Sequence, residues 1–121
     1  MDKVQGARRF LVVTPYIVVG EDLKEALTTF VDAEVVHVAS LDAAVEEEYE
    51  LAIFGIPLEV VLHDRRVRAM HNAGTQIVIL NGHFPKETLA GTGVLALTQP
   101  FSTEDVEALL NKAEILEKRK V

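Results

Sequence analysis

The chain has 121 residues, a length that suits one domain. Hydrophobic residues make up 49% of it and charged residues 26%, which provides for a full core and argues against disorder away from the two ends. It has no cysteine, so disulfides, thiolate metal sites and cysteine nucleophiles are excluded, and its net charge of −7 opposes binding to a nucleic-acid backbone.

Met1 to Arg9 is polar and lacks the apolar core of a signal peptide. Phe10 to Gly20 is uncharged but too short to span a bilayer, and it contains Pro15. A cytoplasmic protein with no membrane or nucleic-acid partner is expected. The basic clusters Arg65, Arg66, Arg68 and Lys118, Arg119, Lys120 read as a solvated helix face and a helix end. The divisions expected are a polar segment over 1–8, one domain over 9–117 and a basic end over 118–121.

Five apolar runs have strand character: Phe10 to Val13, Glu34 to Val38, Leu51 to Ile56, Gln76 to Leu80 and Val94 to Leu97. The first, third and fourth are nearly continuous in apolar residues, as strands covered on both faces are. His37 in the second run places that strand nearer an edge. Between the first two runs, Leu23, Ala26, Leu27 and Phe30 have helical spacing. Ser40 can cap a short helix through Glu48, with Leu41, Ala44 and Val45 inward. Leu58 to Asn72 reads as one helix stopped at Gly74, and Pro85 can open another that ends before Gly91. Ser102 and Asp105 form a capping pair for the last helix, whose inner stripe is Val106, Leu109, Leu110, Ala113 and Leu116. Strand–helix alternation repeated in this way predicts a three-layer α/β domain, a doubly wound parallel sheet with helices on both faces.

Ligands of such sheets bind beyond the carboxyl ends of the strands. The residues there are Thr14 and Pro15, Ser40, Gly55, Asn81 and Gly82, and Gln99 and Pro100. Tyr49-Glu50-Leu51-Ala52-Ile53-Phe54-Gly55, Ile77-Val78-Ile79-Leu80-Asn81-Gly82 and Leu97-Thr98-Gln99-Pro100-Phe101-Ser102 resemble the third, fourth and fifth strand motifs of response-regulator receiver domains. The likeness runs from Arg9 to Ala113. It implies a flavodoxin-like strand order of 2-1-3-4-5 and a cis bond at Gln99–Pro100.

The chemical positions of that family are replaced one after another. The two magnesium-holding acids become Thr14 and Pro15, the acceptor aspartate Gly55, the switch hydroxyl Asn81 and the phosphate-pairing lysine Gln99. Ala96 stands where an aromatic switch residue would fall. Gly55 offers no carboxylate, Thr14 and Pro15 cannot give magnesium its oxygen ligands, and Gln99 has no charge. Glu50 belongs at the opposite end of its strand and Glu59 lies beyond Pro57, so neither is expected to stand in.

Other chemistries are less well supported. His63 and His71 are eight apart on a helix and read as exposed or capping rather than metal-binding. His83 follows the fourth strand at the ligand edge, but no nucleophile accompanies it. A flavin or nucleotide cradle is disfavoured because Thr14-Pro15-Tyr16-Ile17-Val18-Val19 is bulky and Pro15 lacks an amide donor. Those apolar residues are expected either to pack under the loop after the third strand or to form a partner surface.

The resemblance therefore implies a non-phosphorylatable receiver-like signalling domain, neither enzyme nor cofactor binder, in or near a two-component phosphorelay. Its partners would be a histidine kinase, a phosphotransfer protein, an output protein or a second copy in a homodimer. The family's usual pairing face would here comprise Lys86, Glu87, Leu89, Leu97, Glu104, Asp105 and Lys112. The alternative is a small ligand-binding or enzymatic domain using Thr14, Asn81, His83 and Gln99.

Overall fold

Apolar residues that point alternately to two faces can only be satisfied if both faces are covered, and the strands of this chain are built that way. The computed structural model describes residues 8–43, 48–80 and 91–115. The strands are β1 (Arg9–Val13), β2 (Glu34–Val38), β3 (Leu51–Phe54), β4 (Gln76–Leu80) and β5 (Leu95–Leu97). The helices are α1 (Ile17–Phe30), α2 (Leu58–His63), α3 (Arg65–Asn72) and α4 (Thr103–Lys112). Each pairing is parallel and the order is β2-β1-β3-β4-β5. His37 is accordingly on an edge strand.

Phe10, Val12, Ile53 and Val78 pack with Leu23 and Leu27 of α1 and with Val106 and Leu110 of α4. Leu11, Val13, Phe54 and Ile79, one residue out of phase, pack with Val61 of α2 and Val67 of α3 on the other face. The result is the expected three-layer, flavodoxin-like α/β architecture.

Some element boundaries differ from expectation. The helix over Leu58 to Asn72 is two helices, because Asp64 leaves the helical region at φ −85° and ψ 128°. Its carboxylate accepts from the Arg66 and Val67 amides at 2.8 and 3.4 Å, starting α3 afresh. The third strand stops at Phe54, short of Gly55 and Ile56. After Ser40 a 3-10 turn, Leu41–Ala43, begins the stretch, and residues 44–47 lie outside the described residues. Ala44, Val45, the helix expected from Pro85, and Leu116 lie outside the described residues.

At the amino edge of the sheet, Arg8 donates from Nε and Nη2 to the two carboxylate oxygens of Glu50, each at 2.8 Å. The guanidinium of Arg9 lies 5.8 Å from the centroid of the Tyr49 ring. Glu50 is thus engaged far from the carboxyl edge, as its place before the apolar run predicts. At the other end of the chain, Ser102 and Asp105 form the expected capping box on α4.

Candidate functional site at the carboxyl edge of the sheet

Parallel strands deliver their carboxyl ends to one edge, so the first residue after each strand defines the site. Thr14 follows β1 and is 1% exposed. Its amide donates to the Val38 carbonyl at 3.0 Å, and its hydroxyl accepts from the Tyr16 amide at 3.3 Å. Its carbonyl accepts from Nε2 of His37 at 3.0 Å, which requires the hydrogen to sit on that nitrogen. Thr14 is thereby committed on every polar atom.

Gly55 follows β3, and its amide donates to the Val13 carbonyl at 2.6 Å. A Cβ on this residue would stand 3.1 Å from Thr14 Cβ, 3.2 Å from Thr14 Oγ1 and 3.1 Å from Leu80 Cδ2. A side chain starting at this position would therefore press on Thr14, just after β1, and on Leu80 of β4. Pro15 is exposed and offers no amide hydrogen. Gln99 is half-buried beyond β5, two strand spacings or about 10 Å from the β3 position, with β4 between them. The structure therefore brings Thr14 and Gly55 together, turns the neighbouring Pro15 to solvent and leaves Gln99 apart from them. Asn81 and His83 lie outside the described residues. The Gln99–Pro100 bond is cis, as the resemblance implies.

Glu59 is exposed on the first turn of α2. His63 contacts the Glu59 carbonyl through Nδ1 at 3.0 Å and His71 contacts the Thr92 carbonyl through Nε2 at 3.1 Å. Among the described residues, no three histidine, aspartate or glutamate side chains converge as metal ligands.

The expected pairing face requires one correction. Leu97 is 4% exposed and belongs to the core beside Val106 and Leu110, because its position on β5 turns it inward. Glu104, Asp105 and Lys112 are exposed on α4, with Asp105 engaged in the helix cap. Lys86, Glu87 and Leu89 lie outside the described residues. The packed alternative for the residues after Pro15 is also overturned. Tyr16, Ile17 and Val18 are 67, 72 and 71% exposed, and burial begins only with Val19 and Gly20.

His37 is a site residue that sequence reasoning treated only as an edge marker. Its imidazole reaches from β2 over Gly20 to the Thr14 carbonyl. No local motif announces this contact, because it joins residues 23 apart through the α1 crossover.

A parallel sheet of this order with helices on both faces defines a flavodoxin-like, receiver-like domain. No family model and no curated protein matches the chain. A solved structure from Burkholderia pseudomallei, provisionally described as a pilus assembly-related protein, is similar to it with a TM-score of 0.65 and 13% identity over 90% of each chain. Identity that low makes the likeness one of fold. No helix among the described residues is long and apolar enough to cross a membrane.

Proposed function

We propose that this chain is a receiver-like domain that does not accept phosphate and that acts by binding protein partners. The observation that carries the reading is the crowding around Gly55, which has no carboxylate of its own. Thr14 and Leu80 stand close to where its Cβ would be, and the polar atoms of Thr14 are engaged by the Val38 carbonyl, the Tyr16 amide and the His37 imidazole. Partners in a phosphorelay, such as a histidine kinase, a phosphotransfer protein or an output protein, fit this reading, as does a place inside the cell.

Incubation with magnesium and acetyl phosphate tests it. Intact mass is expected to stay unchanged, and millimolar magnesium is expected to leave Tm where sodium at equal ionic strength leaves it. A stable phosphorylated species mapped to a strand-end residue overturns the reading.

A further inference from the structure

Among the described residues the sheet ends in two edge strands, β2 and β5, and the outer side of an edge strand has no ladder partner. β5 is three residues long, which blunts its edge, whereas β2 runs for five residues in unbroken register with β1. Alternate residues of a strand turn their amide and carbonyl to opposite sides. The Glu34 amide donates to the Arg8 carbonyl at 2.8 Å, and the Val38 carbonyl accepts from the Thr14 amide at 3.0 Å. Glu34, Val36 and Val38 therefore face β1, and Val35 and His37 turn both of their backbone groups outward. The usual guards of such an edge are missing, since β2 has no lysine, no proline and no bulge. Its one acid, Glu34, stands at the first position and pairs with Arg9.

We propose that this edge pairs with the same edge of a second copy of the chain, antiparallel and centred on Val36, so that the two sheets become one. The register is self-complementary. About a twofold axis at Val36, Val35 of one copy lies opposite His37 of the other, and each such pair exchanges its two N–H···O=C bonds. Every outward backbone group of Val35 and His37 is then satisfied. Val36 meets its own equivalent as a non-hydrogen-bonded pair, with Cα atoms about 4.5 Å apart. Its side chain is partly buried in its own chain, which leaves apolar surface for that contact. Charge agrees with this occupant, because Glu34 falls opposite Val38 and no like charges are opposed. The pairing goes beyond the partner-binding reading above by naming one partner and its surface, and it is independent of phosphate chemistry. Two short strands make a small contact between chains of net charge −7, so a weak dimer with Kd about 100 μM is expected.

Sedimentation equilibrium of the full chain, from about 10 μM to about 1 mM, is expected to show a reversible monomer–dimer equilibrium. The chain has no cysteine, so Val36→Cys introduces a single thiol. Across the twofold axis the two thiols can bridge, because about 4.5 Å lies within the Cα separations a disulfide spans. Mild oxidation is expected to link Val36→Cys chains about tenfold faster than Ala69→Cys chains, whose exposed site is on α3, beside β4 and away from the edge. Val36→Glu sets two carboxylates face to face and is expected to weaken dimerisation about tenfold, with circular dichroism verifying the fold. Hydrogen exchange of the parent chain needs no variant. The Val35 and His37 amides are expected to exchange about fivefold more slowly at about 1 mM than at about 10 μM, with the amide of Glu104 unchanged. If Val36→Glu fails to fold, exchange and cross-linking decide. A monomer at the highest concentration, linkage no faster at residue 36 than at 69, or a dimer indifferent to Val36→Glu overturns the pairing. So does a chain that stays monomeric while a synthetic peptide of alternating threonine and valine slows the two amides, which gives the edge to a foreign strand. Each of these results leaves the phosphoryl question to the acetyl phosphate experiment.

Discussion

The imidazole of His37 occupies the space that any side chain on Gly20 would need: a Cβ there would meet the ring at Cε1, Nδ1 and Nε2. Glycine inside a helix ordinarily costs about 1 kcal/mol relative to alanine. Here it lets the edge strand β2 lock onto α1 and onto the Thr14 carbonyl. Gly20→Ala is therefore expected to destabilise the fold by about 1–2 kcal/mol, since the ring must overpack or swing away and lose its hydrogen bond. In a His37→Ala background the sign reverses, and Gly20→Ala stabilises by up to about 1 kcal/mol through helix propensity. A urea double-mutant cycle measures both. A stabilising Gly20→Ala in the parent chain would show that the ring does not hold this place.

Gly55→Asp introduces the residue type that receivers use as acceptor, and is expected not to confer phosphoryl uptake. The new side chain starts at 3.1–3.2 Å from Thr14 and Leu80, closer than side chains normally approach. A loss of about 1–3 kcal/mol is expected from overpacking. No phosphoryl group is expected from acetyl phosphate, because Thr14 and Pro15 still provide no carboxylate for magnesium. Denaturant titration and intact-mass measurement check the two parts separately.

Asp64 ties the start of α3 to the turn after β2. Arg66 donates to its two oxygens at 3.2 and 2.9 Å, and also to the Leu41 carbonyl at 3.1 Å and to Asp42 at 3.2 Å. The hydrogen bond from Arg66 holds the Asp64 carboxyl below its usual 3.8, with smaller help from the amides of Arg66 and Val67. A depressed carboxyl stabilises the fold above the unfolded value and loses that effect as pH falls through the folded one. Asp64→Asn keeps a cap but not the charge. Its stability deficit at neutral pH is expected to close as pH falls below about 4. Asp64→Ala, losing the cap as well, is expected to retain a deficit of about 1 kcal/mol in acid. Stability curves for the parent and both variants between neutral pH and acid distinguish the cap from the charge.

Ser102 accepts from the Asp105 amide at 3.1 Å while Asp105 accepts from the Ser102 amide at 2.9 Å. Ser102→Ala is expected to cost about 1 kcal/mol, and Ser102→Asp to be nearly neutral because aspartate caps equally well. Since α4 packs Val106, Leu109 and Leu110 on the sheet, the loss should appear in global unfolding and not only in local fraying. Thermal melts of the two variants decide this.

The strands were legible because a buried parallel sheet demands continuous apolar runs, and Leu11-Val12-Val13 and Ile77-Val78-Ile79 carry that demand locally. The capping pair of Ser102 and Asp105 was legible for the same reason: both partners lie within one turn. Gly55 could be seen to lack an acceptor, but not to sit against Thr14 and Leu80. The break at Asp64 hid within an apolar spacing that continues through it from Val61 to Val67. Two further features depended wholly on how the crossovers close: the His37 ring over Gly20, and the exposure of Tyr16, Ile17 and Val18. Periodicity fixes which residues share a face, whereas contact between faces depends on strand order and helix placement. The sequence by itself determined the alternation of elements, the parallel sheet and the absence of a carboxylate at residue 55. Only the tertiary structure decided that Gly55 is crowded by Thr14 and Leu80, that Leu97 faces inward and that the first turn of α1 faces outward. Those outcomes depend on distances between segments far apart in the chain, which no local pattern encodes.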